Sequence, residues 1–267
     1  MSRLVLKMIA VAVSCASLTV VTMPASSAEK AAKHAAKGGG EGQWTYTGKT
    51  GPQKWGDLEK DFTECKLGQA QSPIDIPDAN TRKGDFPTLL VNYKPTAARV
   101  VDNGHTIQVN LDPGNTFTVG DKSYQLLQFH FHKPSEEKIN GKAHDMVAHL
   151  VHKGADGKLA VIAVLLDAGA DSNPALKPVF ANLPKEKTKE MPLKDPLDLV
   201  KLLPNDTGYY SFAGSLTTPP CSEQVTWFVL KKPSTLSADS LAKFSKIYPM
   251  NARPIQPLNG RDIMATR

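Results

Sequence analysis

Residues 124–132 read YQLLQFHFH. Successive side chains on a strand point to opposite faces, so Phe129 and Phe131 share one face and His130 and His132 the other. A strand that only needed filling has no use for two imidazoles side by side. The chain must therefore fold so that this segment lies between an apolar layer and a layer with chemistry to do. Similar runs recur at 88–93, 98–103, 105–111, 116–120, 145–152, 159–169, 209–215 and 223–230, punctuated by Asn-Gly, Asp-Gly and Pro-Gly pairs of the kind hairpin turns require. The best helical signal is SADSLAKFSKIY at 237–248, where Ser237 can cap and Leu241, Phe244 and Tyr248 share a face. The expected fold is mainly β, a single domain with a few short helices.

The domain has limits. The first 28 residues are read as a secretory signal peptide: Arg3 and Lys7 supply charge, an apolar run continues to about Val21, and Ser26, Ser27 and Ala28 offer small residues for cleavage. An uncleaved anchor is the alternative, but Lys7, Ser14, Ser17 and Thr19 interrupt the run, and it continues past Cys15, which speaks against lipidation there. No later segment is long and apolar enough to span a bilayer, so no membrane span is expected and the location is periplasmic or secreted. Residues 29–43, EKAAKHAAKGGGEGQ, have almost nothing to bury and read as a flexible Ala/Lys/Gly tether with His34 solvated; residues 44–267 are the folded domain.

Losing Arg3 and Lys7 lowers the formal charge from +6 to +4. No Lys/Arg run with interleaved aromatics appears, and KEKTKE at 185–190 mixes signs, so no nucleic-acid partner is expected. With Cys15 gone, Cys65 and Cys221 have a single available pairing in an oxidising compartment. Such a disulfide closes a loop of about 150 residues, worth roughly 5 kcal/mol on the chain-entropy model. A catalytic thiol is the alternative, but no thiolate activator stands beside either cysteine.

After His132, the Asn140-Gly141 pair favours a turn that returns the 145–152 run antiparallel beside the first strand. That run brings His144, His149 and His152. His149 has the opposite parity from the other two, and only one set can meet His130 and His132; the apolar residues Val147 and Val151 on the face of His149 make it the more buried choice. Three imidazoles with a fourth position left for water make the ligand set of a catalytic zinc site.

At this point the chain resembles an α-class carbonic anhydrase of the bacterial type. The likeness runs from Trp44 to Arg261 and rests on QSPIDI at 71–76, NGHTIQV at 103–109, QFHFHKPSEE at 128–137, AHLVHK at 148–153, GSLTTPPCSEQVTW at 214–227 and NARPIQPLNGR at 251–261. It implies a large twisted, mostly antiparallel central sheet with the metal at the floor of a conical cavity. It also implies that His130, His132 and His149 are ligands of Zn2+ and that zinc-bound hydroxide attacks the small-molecule substrate carbon dioxide to give, reversibly, bicarbonate and a proton. Thr217 matches the residue that donates to Glu136 and so orients the nucleophile. Val151, Val161, Leu216 and Trp227 match the apolar wall for carbon dioxide, while Thr218 and the Thr217 N–H match the groups receiving its oxygens. His105 matches the proton shuttle. Asn103 and Gln108 match polar residues of the cavity's water chain, and Trp44 and Tyr46 the aromatic pair at its mouth. A homodimer stays open.

Ligating histidines usually donate their other N–H to a partner. Gln128 suits His130, and a carbonyl near Asn251 is expected for His132. The third partner departs from the pattern: the family has a glutamate two residues before the third ligand, and here that position is Val147. Either another group or water supports His149, or zinc is held less tightly. Glu137 is a second departure, where many members have histidine. Weak ester hydrolysis is expected beside the main activity. Two other readings compete: an inactive binding module, which the complete histidine set opposes, and a metal-storage protein, which leaves Glu136 and Thr217 without a purpose.

Overall fold

The computed structural model describes residues 43–171 and 173–267; the signal peptide expected at 1–28 and almost all of the tether expected at 29–43, with Cys15 and His34, lie outside them. In chain order the strands are β1 (Asp75–Ile76), β2 (Arg82–Gly84), β3 (Leu90–Asn92), β4 (Ala98–Asp102), β5 (Ile107–Leu111), β6 (Thr116–Val119), β7 (Lys122–His132), β8 (Lys138–Ile139), β9 (Met146–Gly154), β10 (Leu159–Gly169), β11 (Met191–Pro192), β12 (Tyr209–Ser215), β13 (Glu223–Leu230), β14 (Ser234–Ser237) and β15 (Met264–Thr266). Among the described residues one 13-stranded sheet runs β11-β4-β5-β7-β9-β10-β13-β12-β15-β2, with β14 on β10, β6 on β7 and β3 on β6; β1 and β8 pair separately. Its pairings are mostly antiparallel, as expected, but β10 runs parallel to β13 and β14, and β15 to β2.

The sheet has two buried faces, and β10 explains why its sequence is a continuous apolar run rather than an alternating one. Ala160, Ile162, Val164 and Leu166 enter the larger core with Phe129, Phe131 and Leu150, whereas Leu159, Val161, Ala163 and Leu165 enter a smaller one with Val147, Val151 and Trp227. Each Val, Leu, Ile or Phe among them taken fully from water contributes about 1.5–3 kcal/mol. The histidines project on the smaller core's side, so the larger core is a rigid backing for them.

The helix expected at 237–248 spans Ala238–Ile247; Ser237 caps it by accepting from the Ser240 N–H at 3.1 Å, and Phe244 is buried with Leu241 and Tyr248 packed against the same core. Trp55–Leu58, Glu64–Leu67 and Leu176–Ala181 are further helices without an expectation in the sequence. The first two are single turns, too short for periodicity to register, and the third carries Pro178 in its first turn, where a missing N–H costs nothing. Between β8 and β9, Asn140 and Gly141 have φ of 52° and 78°, and Ile139 and Lys142 exchange both backbone hydrogen bonds across them. The Asn-Gly pair therefore makes the tight turn that its positive φ preference suits.

Candidate metal centre

His130 on β7 stands opposite His149 on β9, and His132 opposite Val147. The pairing continues to β10, where His149 faces Ala163. The three imidazole centroids are 5.1, 5.5 and 4.8 Å apart, and one ring nitrogen from each lies within 4.8 Å of the other two. Parity thus selects His149 as expected. His144 instead pairs with Asp167 at 2.9 Å, and His152 points into the larger core, where its Nε2 meets the Tyr93 hydroxyl at 2.6 Å.

The outer nitrogens are all occupied. His130 Nδ1 donates to Gln128 Oε1 at 2.9 Å, His132 Nδ1 to the Asn251 carbonyl at 2.8 Å, and His149 Nε2 to Glu137 Oε1 at 2.9 Å. Each of these partners offers an acceptor, so each ring carries a proton on the outer nitrogen, and in the neutral ring that leaves a lone pair on the inner one. His132 Nε2 is buried with no hydrogen-bond partner among the described residues. A buried orphan nitrogen flanked by two others calls for an electrophile, and three imidazole nitrogens fit zinc. Burial, aided by His149, pushes His130 down to about 3 and, with His130 as well, holds His132 well below its ordinary range, so both stay neutral as ligands must. Burial also pulls on His149, but the charge and hydrogen bond of Glu137, with Glu136 behind them, raise it overall.

Glu136 is buried beside the histidines: Oε1 accepts from the Arg253 N–H at 2.7 Å and lies 3.4 Å from His132 Nδ1, and Oε2 lies 3.9 Å from His149 Nδ1. Burial, with repulsion from Glu137, pushes Glu136 up to about 7 against the opposing pull of His149, the Thr217 hydroxyl and the Arg253 N–H. Of the alternatives left open for His149, another group is the one present: Val147 on β9 is fully buried and apolar, and Glu137 from the loop after β7 meets the ring instead.

Val151, Val161 and Trp227 form one ladder across β9, β10 and β13, with Leu216 packed against them. The Trp227 ring lies 4.9 Å from His149 and its indole N–H donates to the Ser215 carbonyl at 3.0 Å. Thr217 is buried and Thr218 half-buried in the turn after β12, held by Leu216 N–H to Ser222 O and Cys221 N–H to Thr218 O. His105 follows the turn in which Asn103 Oδ1 accepts from the His105 and Thr106 N–H groups, and its ring stacks on Trp44 at 3.6 Å. Burial, then Lys187, lowers it to about 4. Asn103 donates to Gln108, which sits opposite His130.

The family model for eukaryotic-type carbonic anhydrases matches residues 50–267. The chain belongs to this family. A carbonic anhydrase of Neisseria gonorrhoeae is 43% identical over 249 residues, 92% of this chain and 96% of its own length. One from Nostoc sp. is 42% identical over 222 residues, 82% and 84% of the two chains. Among solved structures, the α-carbonic anhydrase of Thermovibrio ammonificans, in complex with the inhibitor sulfanilamide, superposes with a TM-score of 0.81 at 43% identity, covering 85% of this chain and all of the other.

Membership of the carbonic anhydrase family implies an enzyme that hydrates carbon dioxide, a small molecule; none of the described helices is long and apolar enough to cross a membrane. Cys65 and Cys221 are joined as a disulfide, their Cα atoms 5.0 Å apart, which removes the catalytic-thiol alternative. Besides Glu137, sequence reasoning missed Arg253, whose guanidinium donates to Gln71 Oε1, the Ser72 carbonyl and the Cys65 carbonyl while its backbone holds Glu136. Its place within NARPIQPLNGR was the one available signal.

Proposed function

We propose that the chain is a zinc-dependent carbonic anhydrase that reversibly converts carbon dioxide and water to bicarbonate and a proton, with residues 44–267 as its catalytic domain. The observation that carries this reading is the convergence of three inner imidazole nitrogens whose outer nitrogens are all engaged, one of the inner ones buried without a partner. His130, His132 and His149 would hold a zinc ion, which when bound would supply a nucleophile at neutral pH by lowering the pKa of its water to about 7.

The chain's own residues do the rest. A hydroxyl has one proton, and if Thr217 gives it to the carboxylate of Glu136, the Thr217 oxygen has only lone pairs to offer the reacting centre. That requires Glu136 ionised, which the Arg253 N–H and the neighbouring His149 favour against the burial that raises it. Carbon dioxide is small and uncharged, so an apolar wall of Val151, Val161, Leu216 and Trp227 suits it better than donors would, while Thr218 and the Thr217 N–H receive its oxygens. His105 relays the proton; stacked on Trp44 it is a weak base, and rotation off that ring returns it toward its ordinary range near 6.5. Gln128 and Asn251 keep two ligand rings aimed. The disulfide supports periplasmic location or secretion behind the signal peptide at 1–28.

Thr217→Val keeps shape and removes the hydroxyl. The expected outcome is a loss of about 100-fold in kcat/KM for carbon dioxide hydration at unchanged zinc content. Equal kcat/KM at equal zinc content would refute the orienting role.

A further inference from the structure

We propose that Glu137 is the positioning residue of His149: its carboxylate, delivered from the loop after β7, holds the Nε2–H of His149 and so presents Nδ1 to the metal. The proposal rests on the metal reading above and extends it to a residue that the family resemblance marks only as a departure.

Four observations converge. Val147 occupies the same-face position two residues before His149, is fully buried in the smaller core, and has no atom that can accept a hydrogen bond. Glu137 is itself fully buried, and its Oε1 lies 2.9 Å from His149 Nε2. A buried carboxylate is costly unless paired, and no Lys or Arg meets Glu137 among the described ion pairs, where its partner is His149. The backbone around it is pinned on both sides: Ser135 Oγ donates to the Glu137 carbonyl at 2.8 Å and accepts from the His144 N–H at 2.9 Å, and β8 begins one residue later against β1. The side chain is thus aimed by a rigid loop rather than placed by chance.

The two consecutive carboxylates divide the ring between them. Glu137 takes the Nε2 edge, and Glu136 stands 3.9 Å from Nδ1 on the other side. His130 and His132 donate to a neutral amide and a backbone carbonyl, and Glu136 Oε1 stands 3.4 Å from His132 Nδ1 without taking that hydrogen bond, so among the three rings His149 is the one whose outer N–H is given to a carboxylate. A charged acceptor strengthens the hydrogen bond and raises the basicity of the ligating nitrogen, which makes His149 the strongest donor of the set. The two departures at Val147 and Glu137 are thus accounted for together: the carboxylate that meets His149 comes from the loop after β7 and not from β9.

The test is the rate of zinc loss to a colorimetric chelator from zinc-loaded wild type, Glu137→Gln, Glu137→Leu and the double variant Glu137→Leu/Val147→Glu, with urea unfolding of each apoprotein alongside. Expected is about 10–100-fold faster loss from Glu137→Leu, a smaller increase from Glu137→Gln, which keeps an acceptor without the charge, and recovery toward wild type in the double variant. Wild-type rates in both single variants would overturn the proposal. So would faster loss that Val147→Glu does not recover, because Glu137 would then be a scaffold residue. A wild type that binds no zinc would refute the metal reading itself, a result distinct from the other two.

Discussion

His149 and His152 stand on the same strand and end in opposite chemistries. His149 faces two carboxylates and two other imidazoles, whereas His152 is fully buried between Phe117 and Tyr93. Burial pushes His152 down to about 3, with the Tyr93 hydroxyl as its Nε2 partner. The unfolded chain titrates this histidine near 6.5, so between the two values the unfolded state binds more protons and stability falls as pH falls. One group changes the slope by at most about 1.4 kcal/mol per pH unit. Replacing both partners, Tyr93→Phe with His152→Leu, should flatten the decline of unfolding free energy between pH ~6 and ~4 by up to that amount, measured by urea titration of both proteins in the same metal state. An unchanged slope would show that His152 is not held neutral.

At the level of elements, the site is a property of neighbouring strands in register. β7 and β9 set the histidines opposite each other, and β9, β10 and β13 set the apolar ladder beside them. Gly214 on β12 keeps that ladder in place: a Cβ there would come within 2.2 Å of Ser72 Oγ and 2.7 Å of Trp227 Cδ1. Gly214→Ala should therefore cost about 1–3 kcal/mol and shift Trp227 emission, since neither neighbour has room to withdraw; an unchanged urea midpoint and spectrum would contradict the close approach. Long strands were legible because burial on one or both faces writes itself into their residues: 159–169, 209–215 and 223–230 have their expected bounds. β1, β2, β8, β11 and β15 were not, because two or three residues carry no period and these strands exist through partners far along the chain. The histidine trio was legible for the same reason as the long strands, since alternation and one turn decide it. Glu137 was not, because no period governs a loop side chain and its partner lies across the next turn.

Across the whole molecule, distant segments meet behind the metal centre. Gln128 comes from the ligand strand, Glu137 from the loop after it, and Asn251 from near the C-terminus, where its side chain also donates to the His105 and Phe131 carbonyls. Arg253 ties Glu136 to Gln71, Ser72 and Cys65, and the Cys65–Cys221 disulfide ties that segment to the turn bearing Thr217. The three imidazoles are thus aimed by the completed fold, and their metal should be both tightly held and necessary. The most direct measurement is carbon dioxide hydration by the purified mature protein, with zinc quantified on the same sample before chelation, after chelation and after zinc return. One zinc per chain, with activity that vanishes on chelation and returns with zinc, is the predicted result. Full activity without zinc, or full zinc occupancy without activity, would contradict the account.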